Sequence, residues 1–145
     1  MKIITQFAIL ILTGICTYGQ NLIGYNDKEI IKYMKENRRD MSFDNVTNSK
    51  FKYLKYSDRS DRQTLLFFLN PDSVCNSVRL ICDLSIKADK VKEFNSIYKK
   101  SGENRWIDKR DGKDYLVEIS DEKWYCIITI EPDKLFVVKW KQLNY

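Results

Sequence analysis

Residues Thr64 to Leu84 constrain this chain more than any other stretch. They read TLLFFLN, then PDSV, then CNSVRLICDL, two apolar runs joined by a turn. Thr64 to Leu69 is a short apolar run between polar flanks, the pattern of a strand buried on both faces. Beyond the turn, Val74, Asn76, Val78, Leu80, Cys82 and Leu84 share one parity, while Cys75, Ser77, Arg79, Ile81 and Asp83 share the other. Strand side chains alternate between faces, so this second strand is half buried, with Arg79 and Asp83 toward solvent or a rim. In Asn70-Pro71-Asp72, Pro71 fixes φ and Asp72 can bond its own backbone, which specifies the turn. A lone two-stranded ribbon is marginal in water, so the remaining chain must cover it.

A helix over 27–37 is signalled by Asn26 as cap and Glu29 three residues on, a capping box, with Tyr25 and Ile30 spaced as a hydrophobic staple. Ile30, Ile31, Tyr33 and Met34 form its apolar stripe. Residues 40–50 read as a polar loop, Phe51 to Tyr56 as a strand, and Ser57 to Arg62 as a turn. A second helix runs from Ile86 to Lys100 with Val91, Phe94, Ile97 and Tyr98 inward, and Gly102 stands as its C′ residue. A meander follows: Arg105 to Lys109, the tight Asp111-Gly112 turn, Lys113 to Ser120, then Trp124 to Glu131, where Trp124, Cys126, Ile128 and Ile130 share a face. Leu135 to Trp140 could add an edge strand. The expectation is an α+β domain: a mostly antiparallel sheet of five to six strands with two helices on one face, ordered helix, three strands, helix, three strands. No internal repeat is strong enough to use.

The chain opens with Met1-Lys2, an apolar run over Ile3 to Ile15, and small residues at Thr17 and Gly19, the layout of a signal peptide cut before Gln20. The apolar part is short for a membrane span. The alternative is a lipid anchor on Cys16, against which the bulky Ile15 stands. The expected organisation is therefore a signal peptide over 1–19 and one domain over 20–145, periplasmic or secreted. Export removes Lys2 from the 25 cations, against 20 acidic residues, so the remainder carries a net charge of +4.

Histidine is absent. Ser-His-Asp and Cys-His catalysis in their usual forms are thereby excluded, as are His-ligated zinc, copper and non-haem iron. No motif specifies a cofactor or a metal site. Cys75 and Cys82 lie seven positions apart on one strand, about 23 Å at roughly 3.3 Å per residue, too far for a disulfide. Cys82 with Cys126 is the better pair, though three small buried hydrophobes is the plainer reading. Arg105-Trp106, Lys123-Trp124 and Arg79 are candidates for an aromatic-cationic binding face, weighed against ordinary strand alternation. Asp83, Asp114, Glu118 and Glu131 are the carboxylates that could serve glycoside hydrolysis, which needs two at a defined separation. Nothing in the sequence places any two together. Nucleic acid is disfavoured by a small charge spread along the chain.

The Ile23-Gly24 opening with its capped helix, the FLNPDSVCNSVRL segment, the KEFNSIYKKSGENRWID block and the YLVEI…WYCIITI meander resemble a family of small exported bacterial proteins of unassigned function. The likeness covers about residues 23–132. The opening is also similar to that of outer-membrane lipoproteins of the small assembly-factor and inhibitor type. Neither resemblance implies catalytic residues. The expected function is a non-enzymatic exported domain that binds a protein or envelope component through its sheet. The alternatives are a carboxylate-dependent hydrolase acting on cell-wall glycans and a structural protein of the envelope. Export predicts that N-terminal sequencing of the chain recovered from periplasm or medium starts at Gln20; retention of Met1, or lipid on Cys16, counts against that cut.

Overall fold

The computed structural model describes residues 21–45 and 50–134. Ten elements follow in order: α1 (Asp27–Asn37), β1 (Met41–Asp44), β2 (Tyr53–Asp58), β3 (Gln63–Leu69), β4 (Cys75–Asp83), α2 (Leu84–Ile97), β5 (Lys99–Gly102), β6 (Arg105–Arg110), β7 (Lys113–Asp121) and β8 (Tyr125–Pro132). All eight strands join one antiparallel sheet in the order β1-β2-β3-β4-β8-β7-β6-β5. The sheet corrects the expected five to six strands, and the chain runs helix, four strands, helix, four strands. That order reads the same from either end once the halves are exchanged. Each half is a helix followed by a four-stranded meander, and the halves meet where β4 pairs with β8. The repeat that the sequence hides is thus present in the topology.

The two strands missed are the sheet's edges. β1 falls in the stretch read as a loop, because four residues with Ser42 and Phe43 exposed show no alternation. β5 begins within the expected second helix, because its lysines also suit a helix C-terminus. Instead α2 stops at Ile97, and Tyr98 is already extended at φ −116, ψ 158. Lys99 and Lys100 then sit exposed on an edge strand, where charge discourages further pairing. α2 also starts earlier than expected, because the Asp83 carboxylate accepts the Ser85 N–H at 2.8 Å and caps it.

Helix α1 spans the expected residues with its capping box complete. Asn26 Oδ1 accepts from the Glu29 N–H at 3.0 Å, and Glu29 Oε2 accepts from the Asn26 N–H at 2.8 Å. The Pro71 turn closes with Ser73 N–H to Asn70 O at 3.0 Å and Asn70 N–H to Val74 O at 2.9 Å. Asp111 and Gly112 both have positive φ, 51 and 72, as a type I′ hairpin requires. The register of β3 on β4 shifts between Phe68 and Leu69, which places Cys75 opposite Leu69 and turns it inward. Cys75 is therefore buried and Asn76 exposed, the reverse of the simple parity.

Both helices cover one face. A row across six strands, Leu54, Phe67, Val78, Ile130, Val117 and Trp106, and a second, Tyr56, Leu65, Leu80, Ile128 and Ile119, lie buried beneath Ile30, Met34 and Phe94. Trp106 meets Phe94 edge-on at 5.4 Å and donates its Nε1–H to Asn95 Oδ1 at 2.9 Å. Among the described residues, no helix is long and apolar enough to cross a membrane. The signal-peptide reading, the lipid anchor on Cys16 and the expected edge strand over 135–140 lie outside the described residues.

Phe94 is wholly buried against Trp106 and Tyr98. Phe94→Ala is expected to cost about 3–5 kcal/mol through lost transfer and cavity energy, read from urea unfolding. A cost near that of a surface substitution would contradict this packing. Burial pushes the Cys75 thiol from its ordinary 9.0 up to about 12. Burial, reinforced by the carboxylates of Asp108 and Glu93, pushes the Tyr98 phenol from 10.0 up to about 12. Each group holds its proton more tightly folded than unfolded, so the stabilisation is full below the unfolded value. It is lost as pH rises from about 9 through about 12. The urea midpoint should fall across that window, and Cys75→Ala with Tyr98→Phe should flatten the fall; an identical fall in the double variant would refute the assignment.

Candidate functional site

Because one sheet face lies under the helices, alternation assigns the other face residue by residue. Its middle row crosses seven strands as Asp44, Lys55, Leu66, Arg79, Thr129, Glu118 and Arg105. On one side of it run Ser57, Thr64, Ile81, Ile127 and Ser120. On the other lie Tyr53, Phe68 and Ser77, and across the seam Glu131, Leu116 and Ile107. Leu66, Phe68, Ile81, Leu116 and Ile127 are half-buried, shielded by their neighbours on the pleat. No described helix or strand packs on this face.

At the end of this face beside the Pro71 turn lies a groove of about 720 Å³, between the segment leading into β2 and the start of β4. Its walls carry the rings of Phe51 and Phe68, the cations Lys50, Lys52 and Arg79, and the amide of Asn76. Arg79 lies over the Phe68 ring, 5.3 Å from its centroid. That contact holds the guanidinium flat while its edge stays available for hydrogen bonds. The Lys52 ammonium donates to the Ser73 hydroxyl, and the Lys52 carbonyl accepts the Leu69 N–H at 2.9 Å, which ties the wall to β3. Among the described residues no aspartate or glutamate lines the groove, and no carboxylate pairs with Arg79. Three cations and two rings thus line one concavity, a combination of charge and apolar surface in a single groove.

A second concave patch, of about 510 Å³, runs along the outer side of α1 between Lys28, Ile31, Lys32, Lys35, Glu36 and Arg39. It is basic too, but Glu36 offsets part of its charge, and Ile31 is the one apolar side chain among its described lining residues.

The four residues expected to form a binding face divide. Trp106 is not on a surface: strand parity turns it beneath α2. Trp124 is exposed, 73% by area, because β8 begins one residue later and leaves it on the turn with Lys123 at 5.0 Å from its ring. Arg105 stands on the open face in an exposed pair with Glu118 at 3.1 Å, a contact worth about 0–1 kcal/mol. Arg79 is the one that enters the groove. Three strand spacings separate it from Arg105, about 14 Å, and Trp124 sits at the opposite end of β8 from the groove.

The four carboxylates are not gathered at one point, though Glu118 and Glu131 are diagonal neighbours on the open face. Asp83 caps α2, Asp114 reaches Lys109 at 3.8 Å, Glu118 takes Arg105, and Glu131 lies opposite Leu116. Hydrogen bonds from the Ser85 backbone and side chain hold the Asp83 carboxyl below the usual range. Ser57 and Lys55 do the same for Asp44 on the open face. Among the described residues, no group of three or more Cys, Asp or Glu side chains is placed to hold a metal ion.

Sequence reasoning missed Phe51, Lys52, Phe68 and Asn76 as lining residues. Phe68 could have been found, since alternation within QTLLFFL sets it on the face opposite Leu65 and Phe67. Asn76 could not, because its position depends on the register shift after Phe68. Comparisons with family models, with curated proteins and with solved structures found no match.

Proposed function

We propose that this chain is a non-enzymatic binding module that takes an acidic segment of a partner protein into the groove at the end of its open sheet face. The observation that carries the reading is the lining itself: Lys50, Lys52 and Arg79 around Phe51 and Phe68, with no carboxylate among them. An acidic side chain of the partner would meet Arg79 as a flat, two-pronged donor, and an apolar neighbour would rest on Phe51. Phe51 is 62% exposed, so covering it releases water from a large ring. The encounter would take place outside the cytoplasm, in keeping with the N-terminal segment.

The test is fluorescence anisotropy with a short fluorescein-labelled peptide of alternating glutamate and leucine, beside a peptide of glutamine and leucine and a cell-wall glycan oligomer. Saturable binding of the acidic peptide, weakening with salt, is the expected result. Arg79→Ala and Phe51→Ala should each weaken it about tenfold, the equivalent of about 1.4 kcal/mol. Equal affinity for the glutamine peptide, unchanged binding in both variants, or preference for the glycan would overturn the proposal.

A further inference from the structure

The seam between the two halves carries a second feature that the groove does not use. Cys82 of β4 stands directly opposite Cys126 of β8. Their Sγ atoms are 2.9 Å apart, and the residues are 1% and 0% exposed. Directly opposed residues of an antiparallel pair have Cα atoms about 4.5–5.5 Å apart, inside the roughly 4.4–6.8 Å that a disulfide spans. The third described cysteine, Cys75, is engaged elsewhere, its thiol donating to Ser77 O at 3.5 Å near the far end of β4. The seam thus sets two thiols face to face with no atom between them.

We propose that Cys82 and Cys126 are a dithiol–disulfide couple that bolts the two halves of the sheet together when the chain folds in the presence of a low-molecular-weight disulfide. In the first exchange one cysteine thiolate attacks a sulfur of the small disulfide, forming a mixed disulfide and expelling one small thiolate. The other cysteine thiolate then displaces the second. One S–S bond breaks and one forms, two electrons pass from the cysteines to the small disulfide, and the two cysteine protons end on the two released thiols. Both sulfurs are closed to solvent in the folded chain, so the exchange precedes the zipping of β4 onto β8. For the same reason, a reductant reaches the finished bond only by opening the seam. The two positions are 44 residues apart, so the bond constrains a long loop of the unfolded chain.

The full chain, refolded from denaturant in glutathione buffer and in excess reductant, supplies the test. After oxidative refolding and alkylation, peptide mapping should recover the peptide bearing Cys82 joined to the one bearing Cys126, with Cys75 alkylated. Native-state dithiothreitol should leave that bond intact, and Tm should exceed that of the reduced protein by about 10 °C. Cys75→Ser should preserve the bond and the shift, and Cys82→Ala with Cys126→Ala should abolish the Tm difference between the two preparations. Recovery of Cys82 and Cys126 both alkylated after oxidative refolding would overturn the proposal, as would a map joining Cys75 to either. The map of the unsubstituted chain decides the matter even where a variant fails to fold.

Discussion

The antiparallel pairing of β4 with β8 is the contact on which the rest depends. Six residue pairs from Val78–Ile130 to Asp83–Tyr125 join two meanders that otherwise have only their own neighbours. Both long buried rows of the sheet pass through this seam, so Ile30 and Met34 of α1 and Phe94 of α2 share one interior only because it is closed. It is also the pairing with the greatest separation along the chain, since β4 must wait for α2 and three further strands before its partner exists. Non-local pairing of this kind slows folding, because loop-closure entropy is lost before the contacts reward it. The apolar content of Val78, Leu80, Ile128 and Ile130 compensates for that late arrival.

Holding both helices on one side has a chemical result on the other. The exposed side of a sheet normally carries polar residues in clean alternation with the core. Here the middle of that side keeps Leu66, Phe68, Ile81 and Ile127, and charge is displaced toward its flanks, Lys55 with Asp44 and Arg105 with Glu118. Arg79 is the exception, a cation set among apolar neighbours and steadied by Phe68. That surface therefore sets apolar side chains beside cations, with a groove at one end.

The elements legible in the sequence were those whose signals are local. Asn26 and Glu29 announce α1, Asp111-Gly112 announces its hairpin, and the alternation of Cys126, Ile128 and Ile130 announces β8. Both edge strands escaped because four residues are too few for a period to declare itself, and because a lysine serves equally well at a helix end or on a sheet edge. Trp106 and Trp124, similar in local context, end in opposite surroundings because parity and strand onset decide, and neither is visible in composition. Of the groove, only Arg79 is legible in the sequence as a binding residue; its other walls come from three separate segments that the sheet brings together.

The two edge strands have a consequence for how this molecule can be approached. An incoming strand seeking main-chain partners at either border would find a ledge of four residues, one of them fronted by Lys99 and Lys100. Such a ledge offers few amide partners and, on the lysine side, a repulsive fringe for any cationic chain. Growth of the sheet sideways, the usual route by which flat β-layers recruit one another, therefore finds little described backbone to build on at either margin. A visitor is left with the broad side of the layer, where side chains rather than backbone decide who stays.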